Sequence, residues 1–155
     1  MAHLNLQDSL MIEGEDFSGN QELSAVLADP QRCHWLLYPG PTSVVLGEQN
    51  SAREFWLRNG AKKRATVIVI DGTWRKVGRM VESRPELLEL PRLSFQPPYP
   101  SQFRIRKQPH EYCWSTLEAI DYIIGQTGAA QPESRLSLQS CFSYMVEQQL
   151  AFENC

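Results

Sequence analysis

A chain of 155 residues with 42 % hydrophobic and 21 % charged residues has the make-up of one globular domain, which excludes collagen-like, low-complexity and wholly disordered architectures. Its longest apolar stretch, Ala65 to Ile70 with Thr66 inside it, falls far short of the roughly 20 residues that a membrane span needs. The net charge of −3 argues weakly against a nucleic-acid partner, and the acidic, polar N-terminus lacks the pattern of a secretory signal. A cytoplasmic protein without membrane contact is expected.

In chain order, Met1 to Phe17 carries Leu4, Leu6, Leu10 and Ile12 in partial alternation, which predicts a short strand or sheet edge. Asp16 to Asp29 reads as a helix, with Leu23, Val26 and Leu27 at helical spacing and Pro30 beyond its end. Trp35-Leu36-Leu37-Tyr38 predicts a buried strand running into a loop at Pro39-Gly40-Pro41. Ser51-x-x-Glu54 is a capping-box pattern that predicts a helix to Arg58, with Asn59-Gly60 as its exit. Thr66 to Ile70 lacks alternation and is expected at the centre of a parallel sheet covered by helices. Asp71-Gly72 ends that strand, Thr73 to Ser83 reads as the next helix, and Pro85 marks its end or a new first turn. Leu90 to Phe95 predicts another strand, Gln96 to Ser101 a proline-rich loop, and Phe103 to Arg106 an extended segment. A second capping box, Ser115-x-x-Glu118, opens a helix expected to stop at Gly125, and Leu138 to Phe152 predicts a last amphipathic helix. Strands alternating with helices give an α/β fold with a mostly parallel sheet flanked by helices.

Cys33, Cys113, Cys141 and Cys155 are scattered, with neither a Cys-x-x-Cys pair nor a His at ligand spacing. They predict structural thiols and no metal site. Charge is informative by position. From Arg53 to Lys107 there are thirteen Lys/Arg against five Asp/Glu, a balance of +8, while the remainder carries −11. Such a split predicts either a bipolar molecule with one phosphate-binding side or a set of solvated helix faces.

Asp71 stands at the carboxyl end of the most apolar strand, where open α/β sheets bind their ligands. The helix that starts at Thr73 offers unpaired N–H groups to an anion, and Arg75, Lys76 and Arg79 add positive charge. Helix capping alone would equally explain Asp71, and sheet packing would explain Trp74.

Asp71-Gly72-Thr73-Trp74 resembles the Asp-x-Thr-Trp signature of the DTW-domain family, which includes bacterial tRNA-uridine aminocarboxypropyltransferases. Further segments fall in the family's order: Glu13-Gly14-Glu15-Asp16-Phe17, Leu37-Tyr38-Pro39-Gly40, Leu90-Pro91-Arg92-Leu93, Phe103-Arg104-Ile105-Arg106-Lys107 and Ser115-Thr116-Leu117-Glu118-Ala119. The resemblance implies a SPOUT-like fold with a C-terminal knot and an S-adenosylmethionine site. It implies transfer of the donor's 3-amino-3-carboxypropyl group to uridine N3. It leads us to expect a single domain over 1–155, without the cysteine-rich N-terminal segment usual in bacterial relatives.

On this resemblance Asp71 is the candidate general base. Tyr38, Pro39, Gly40, Thr73, Trp74, Leu93, Ser115 and Thr116 are the candidate donor contacts, and Glu118 is mainly structural. Arg75, Lys76, Arg79, Arg104, Arg106 and Lys107 are the candidate contacts to the tRNA backbone, whereas His34 and His110 are expected to be structural. A monomer is expected. A methyltransferase using the same donor and a non-catalytic tRNA-binding remnant stay open as alternatives.

Overall fold

The computed structural model describes residues 6, 8–60, 62–105, 111–128 and 132–153, with backbone only at 74, 75, 132, 134, 135, 137 and 153. The chain forms two compact units, one spanning Met11–Gln96 and the other combining Met1–Leu10 with Pro97–Cys155.

The first unit holds helix α1 (Gln21–Leu27), strands β1 (Arg32–Leu37) and β2 (Val44–Leu46), helix α2 (Ser51–Asn59) and strand β3 (Arg64–Ile68). Helix α3 (Trp74–Glu82), a 3-10 turn (Pro85–Glu89) and strand β4 (Arg92–Phe95) complete it. The strands form one sheet in the order β2-β4-β1-β3, with every pairing parallel. The expected α/β class is therefore observed.

Strand β1 is buried on both faces. Trp35 packs on Phe55 of α2, ring centroids 4.9 Å apart, and its indole N–H donates to Asn59 Oδ1 at 3.4 Å. Leu36, on the other face, joins Val77 and Val81 of α3 and Leu87 of the 3-10 turn in one cluster. Burying an apolar side chain of this size contributes about 1.5–3 kcal/mol, so this strand anchors the unit.

Four expectations are corrected in this unit. The run Thr66–Ile70 does not lie at the centre of the sheet. Its strand ends at Ile68, is half-buried, and pairs with β1 alone, leaving β3 at an edge among the described residues. Ile68 and Ile70 still pack under α3, so the unbroken apolar run reports partly covered faces, which says nothing about lateral neighbours. Of the strand or edge expected over Met1 to Phe17, residues 1–5 and 7 lie outside the described residues, and 8–17 form no strand. Asp16 instead closes a turn by accepting from Ser18 N–H at 2.9 Å, and α1 starts at Gln21 behind an Asn20 cap that accepts from Leu23 N–H. The Ser51–Glu54 box does not form. Asn50, at φ 64°, holds the cap position, Ser51 Oγ donates back to Glu48 O, and the Glu54 carboxylate is taken by Arg58. Strand β2 has no expectation to match, because three residues between a loop and a glycine carry too little pattern.

The second unit contains helices α4 (Thr116–Thr127) and α5 (Pro132–Glu153), which pack on each other. Ser115 caps α4 with both halves of the predicted capping box present. The helix runs through Gly125, where termination was expected, and ends at Gly128 with φ 65°. An interior glycine costs a helix only about 1 kcal/mol, whereas the stop requires the left-handed conformation that Gly128 adopts. Arg104 and Ile105 form a turn where an extended segment was expected, and Arg106 lies outside the described residues. Leu138 and Val146 are buried and Cys141, Phe142 and Met145 half-buried on one face of α5, as its spacing predicts, with the Phe142 ring stacked on Phe103 at 6.3 Å. No described helix is long and apolar enough to cross a membrane. Cys33, Cys113 and Cys141 are free thiols, and Cys155 lies outside the described residues.

Candidate active site

Strands β1 and β3 are parallel neighbours in register from Arg32↔Arg64 to Leu36↔Ile68. The segments that follow them, Tyr38–Gly40 and Asp71–Thr73, therefore leave the sheet at the same edge. Asp71 is exposed there, three positions past the end of β3. The cap position of α3 belongs to Thr73, whose side chain makes no capping bond. Capping by position thus falls to Thr73 and leaves Asp71 outside the helix. A methyl group on Gly72 would meet only ordinary contacts, the nearest being Met80 Sδ at 3.5 Å, so protein packing does not require a glycine at this position. Trp74 and Arg75 open α3, with the backbone alone described.

The 38–40 loop is held by Arg92, a residue whose part in the site the motifs did not reveal. Its guanidinium carbon lies 5.8 Å from the Tyr38 ring centroid, and its N–H groups reach Pro39 O at 3.5 Å and Leu88 O at 3.2 Å. Tyr38 N–H donates to Leu93 O at 3.0 Å. Leu93 itself is fully buried, so it meets this loop through its backbone. A Cβ on Gly40 would fall 2.5 Å from Arg92 Nη1. Gly40→Ala is therefore expected to push the guanidinium off Tyr38 and to cost about 0.5–1 kcal/mol, the worth of an exposed cation–π contact. Urea denaturation of Gly40→Ala, Arg92→Ala and the double variant measures this: the two destabilisations should not add. Beside the clamp lies an open cleft of about 520 Å³ lined by Pro41, Thr42, Arg58, Leu90 and Arg92.

The basic residues divide. Lys76 is ion-paired with Glu15, and Arg79 lies in the same depression. The Lys76 ammonium, through its hydrogen bond and charge, together with the Arg79 charge, holds the Glu15 carboxyl below its ordinary range. The acidic stretch is brought there by Phe17 N–H, which donates to Ser83 Oγ at 3.0 Å, and by Arg84, whose Nη1 donates to Phe17 O at 3.2 Å. Arg104 is exposed in the second unit, while Arg106, Lys107 and His110 lie outside the described residues. His34 is buried, and no described group is hydrogen-bonded to its Nε2.

In the second unit, Ser115 and Thr116 open α4. One carboxylate organises this corner: Glu118 accepts from Ser115 N–H and Oγ–H, from Ser101 Oγ–H, and from Gln102 N–H at 2.6 Å. The capping box accounts for Ser115. The tie from Glu118 to the 101–102 loop is additional, and only a partner far along the chain could have revealed it. No described cluster of three His, Cys, Asp or Glu residues is placed to hold a metal ion.

Two comparisons bear on this arrangement. The DTW domain profile matches residues 1–150. The chain is 33 % identical over 118 residues to tRNA-uridine aminocarboxypropyltransferase 2 of Drosophila melanogaster, an alignment covering 76 % of this chain and 42 % of that relative. The chain thus spans less than half the length of the curated relative it matches. No solved structure matches the chain.

Proposed function

Because the chain belongs to the DTW-domain family, we propose that it is a tRNA-uridine aminocarboxypropyltransferase using S-adenosylmethionine as group donor. The identity to a relative of that name carries this reading, and the exposed carboxylate of Asp71 at a strand-to-helix turn supports it. The knotted course of the C-terminal half, a monomeric state and a cytoplasmic location belong to the same proposal.

Uridine N3 carries a proton and is a poor nucleophile until it is lost. Asp71, within hydrogen-bond reach of a bound base, takes that proton. The donor supplies a carbon activated by its sulfonium; the N3–carbon bond forms as the carbon–sulfur bond breaks, and methylthioadenosine leaves. Orientation decides which of the donor's groups is transferred, because the site must aim that carbon and turn the methyl away. Tyr38, Pro39, Gly40, Thr73, Trp74, the Leu93 backbone, Ser115 and Thr116 are assigned to holding the donor. Within the first unit the fit rests on the fixed 38–40 loop, where a side chain at Gly40 would displace Arg92, and on the helix start at Thr73; Ser115 and Thr116 enter through the family resemblance. Arg75, Lys76, Arg79, Arg104, Arg106 and Lys107 are assigned to the tRNA backbone, where they give affinity without sequence information.

Incubation with unmodified tRNA and labelled donor, followed by nucleoside mass spectrometry, tests the reading. Aminocarboxypropyluridine together with methylthioadenosine supports it. S-adenosylhomocysteine would identify a methyltransferase, and tRNA binding without product a non-catalytic protein.

The Lys76–Glu15 pair adds an expectation. Glu15→Gln releases the ammonium, so tRNA affinity should rise and the slope of log affinity against log salt should steepen by up to about 0.9 on a duplex stem. Filter binding at several salt concentrations measures it. The depressed Glu15 pKa gives the direction with pH: the pair is complete above the ordinary carboxylate range and is lost as pH falls through the lowered value.

A further inference from the structure

The second unit carries an aromatic arrangement that the proposed mechanism does not use. Tyr99 stands in the segment Gln96-Pro97-Pro98-Tyr99-Pro100-Ser101 and is 49 % exposed. Its ring centroid lies 4.8 Å from that of Trp114, tilted by 39°. Trp114 is fixed in turn: its indole N–H donates to Tyr99 O at 2.9 Å, and Tyr122 meets it edge-on with centroids 5.5 Å apart. Prolines on both sides of Tyr99 restrict its backbone, and Glu118 fastens the next two residues, Ser101 and Gln102.

Tyr122 is half-buried, and that burial pushes its phenol above the ordinary value. Tyr99 is built differently. Its ring is held by a neighbouring ring, a backbone hydrogen bond and proline geometry, yet about half its surface faces solvent. A rigid aromatic surface has little freedom left to lose on binding, which favours a planar ligand. Arg104, exposed in the turn that follows, offers a charge for a phosphate.

We propose that the Tyr99–Trp114 pair is a stacking platform for an unpaired nucleobase of the RNA substrate. This rests on the tRNA reading above and extends it, by assigning a base contact to a unit whose other candidate RNA residues are basic. Aromatic stacking selects single-stranded positions because a paired base has no free face. It tolerates any base, since each has a π-face.

The test uses the full chain with Tyr99→Leu and Tyr99→Phe, and three probes: an unmodified tRNA transcript, an oligouridine strand and a blunt RNA duplex. Removing the ring should weaken oligouridine binding by roughly 5- to 150-fold, the span of one stacked base. Tyr99→Phe should bind within about twofold of the parent, and duplex binding should be equal in all three proteins, because a paired base cannot stack. Equal thermal midpoints for the two variants would assign the difference to the surface and not to folding. Unchanged oligouridine affinity in Tyr99→Leu overturns the platform, as does a Phe variant as weak as the Leu variant, which would point to the phenol hydroxyl. If the parent modifies tRNA while Tyr99→Leu binds like it, the platform alone falls. If the parent neither binds nor modifies tRNA, the functional reading falls and takes the platform with it.

Discussion

Asp71→Asn is expected to leave the fold intact and to lower the transfer rate by about two to four orders of magnitude, the usual worth of a positioned general base. The change is nearly isosteric, and Asp71 is exposed, so no buried charge is left stranded. Helix α3 keeps its cap residue, Thr73, whichever side chain occupies position 71. A fall in rate with an unchanged melting curve would therefore report chemistry and not structure. Single-turnover assays with saturating tRNA and donor isolate that step. Turnover like that of the parent would remove Asp71 from the mechanism and return it to a role in the turn.

Replacing Arg75, Lys76 and Arg79 together by Ala is expected to weaken tRNA binding and flatten its salt dependence. The slope of log affinity against log salt should fall by roughly 0.9 for each duplex-stem phosphate that is no longer neutralised, or about 0.7 for each one on a single strand. Alanine is the strongest helix former, so α3 should persist. Lys76 is the smallest contributor expected among the three, because Glu15 already competes for its ammonium. Adding Glu15→Gln to the triple variant should then change nothing, although the same substitution alone strengthens binding. Donor affinity measured by calorimetry should stay at the parent value. An unaltered salt slope would show that these side chains are merely solvated.

What the sequence made legible follows from how local each cause is. The buried strand at Trp35–Leu36, the capping box at Ser115–Glu118 and the helix after Thr73 each depend on residues within a few positions, and all three are present. The place of β3 is not legible in the sequence because five residues in a row without alternation describe faces, whereas rank within a sheet depends on which distant strand pairs alongside. Ser51–Glu54 has the right spacing for a box, but Arg58, one turn on, claimed the glutamate. At the candidate site the motif points to Asp71 and the 38–40 loop. Arg92, Glu15 and the link from Glu118 to Ser101 were hidden because each partner is remote in sequence, and a single sequence carries no signal of such pairing.

The strand order has a consequence for how this chain is made. Strand β4 is the last of the four to be synthesised, yet it lies between β1 and β2. Leu36 N–H bonds to Pro91 O and Tyr38 N–H to Leu93 O, so half of β1 waits for residues that leave the ribosome much later. β1 and β3 can pair as soon as α2 has crossed between them. Strand β2, older than β3, has β4 as its partner and cannot join until that strand arrives. The sheet thus assembles out of order of synthesis, with one of its two interior positions filled last. Such late, non-local closure is slow, and a chain halted before Arg92 would present the flank of β1 and the whole of β2 to whatever binds unfinished strands.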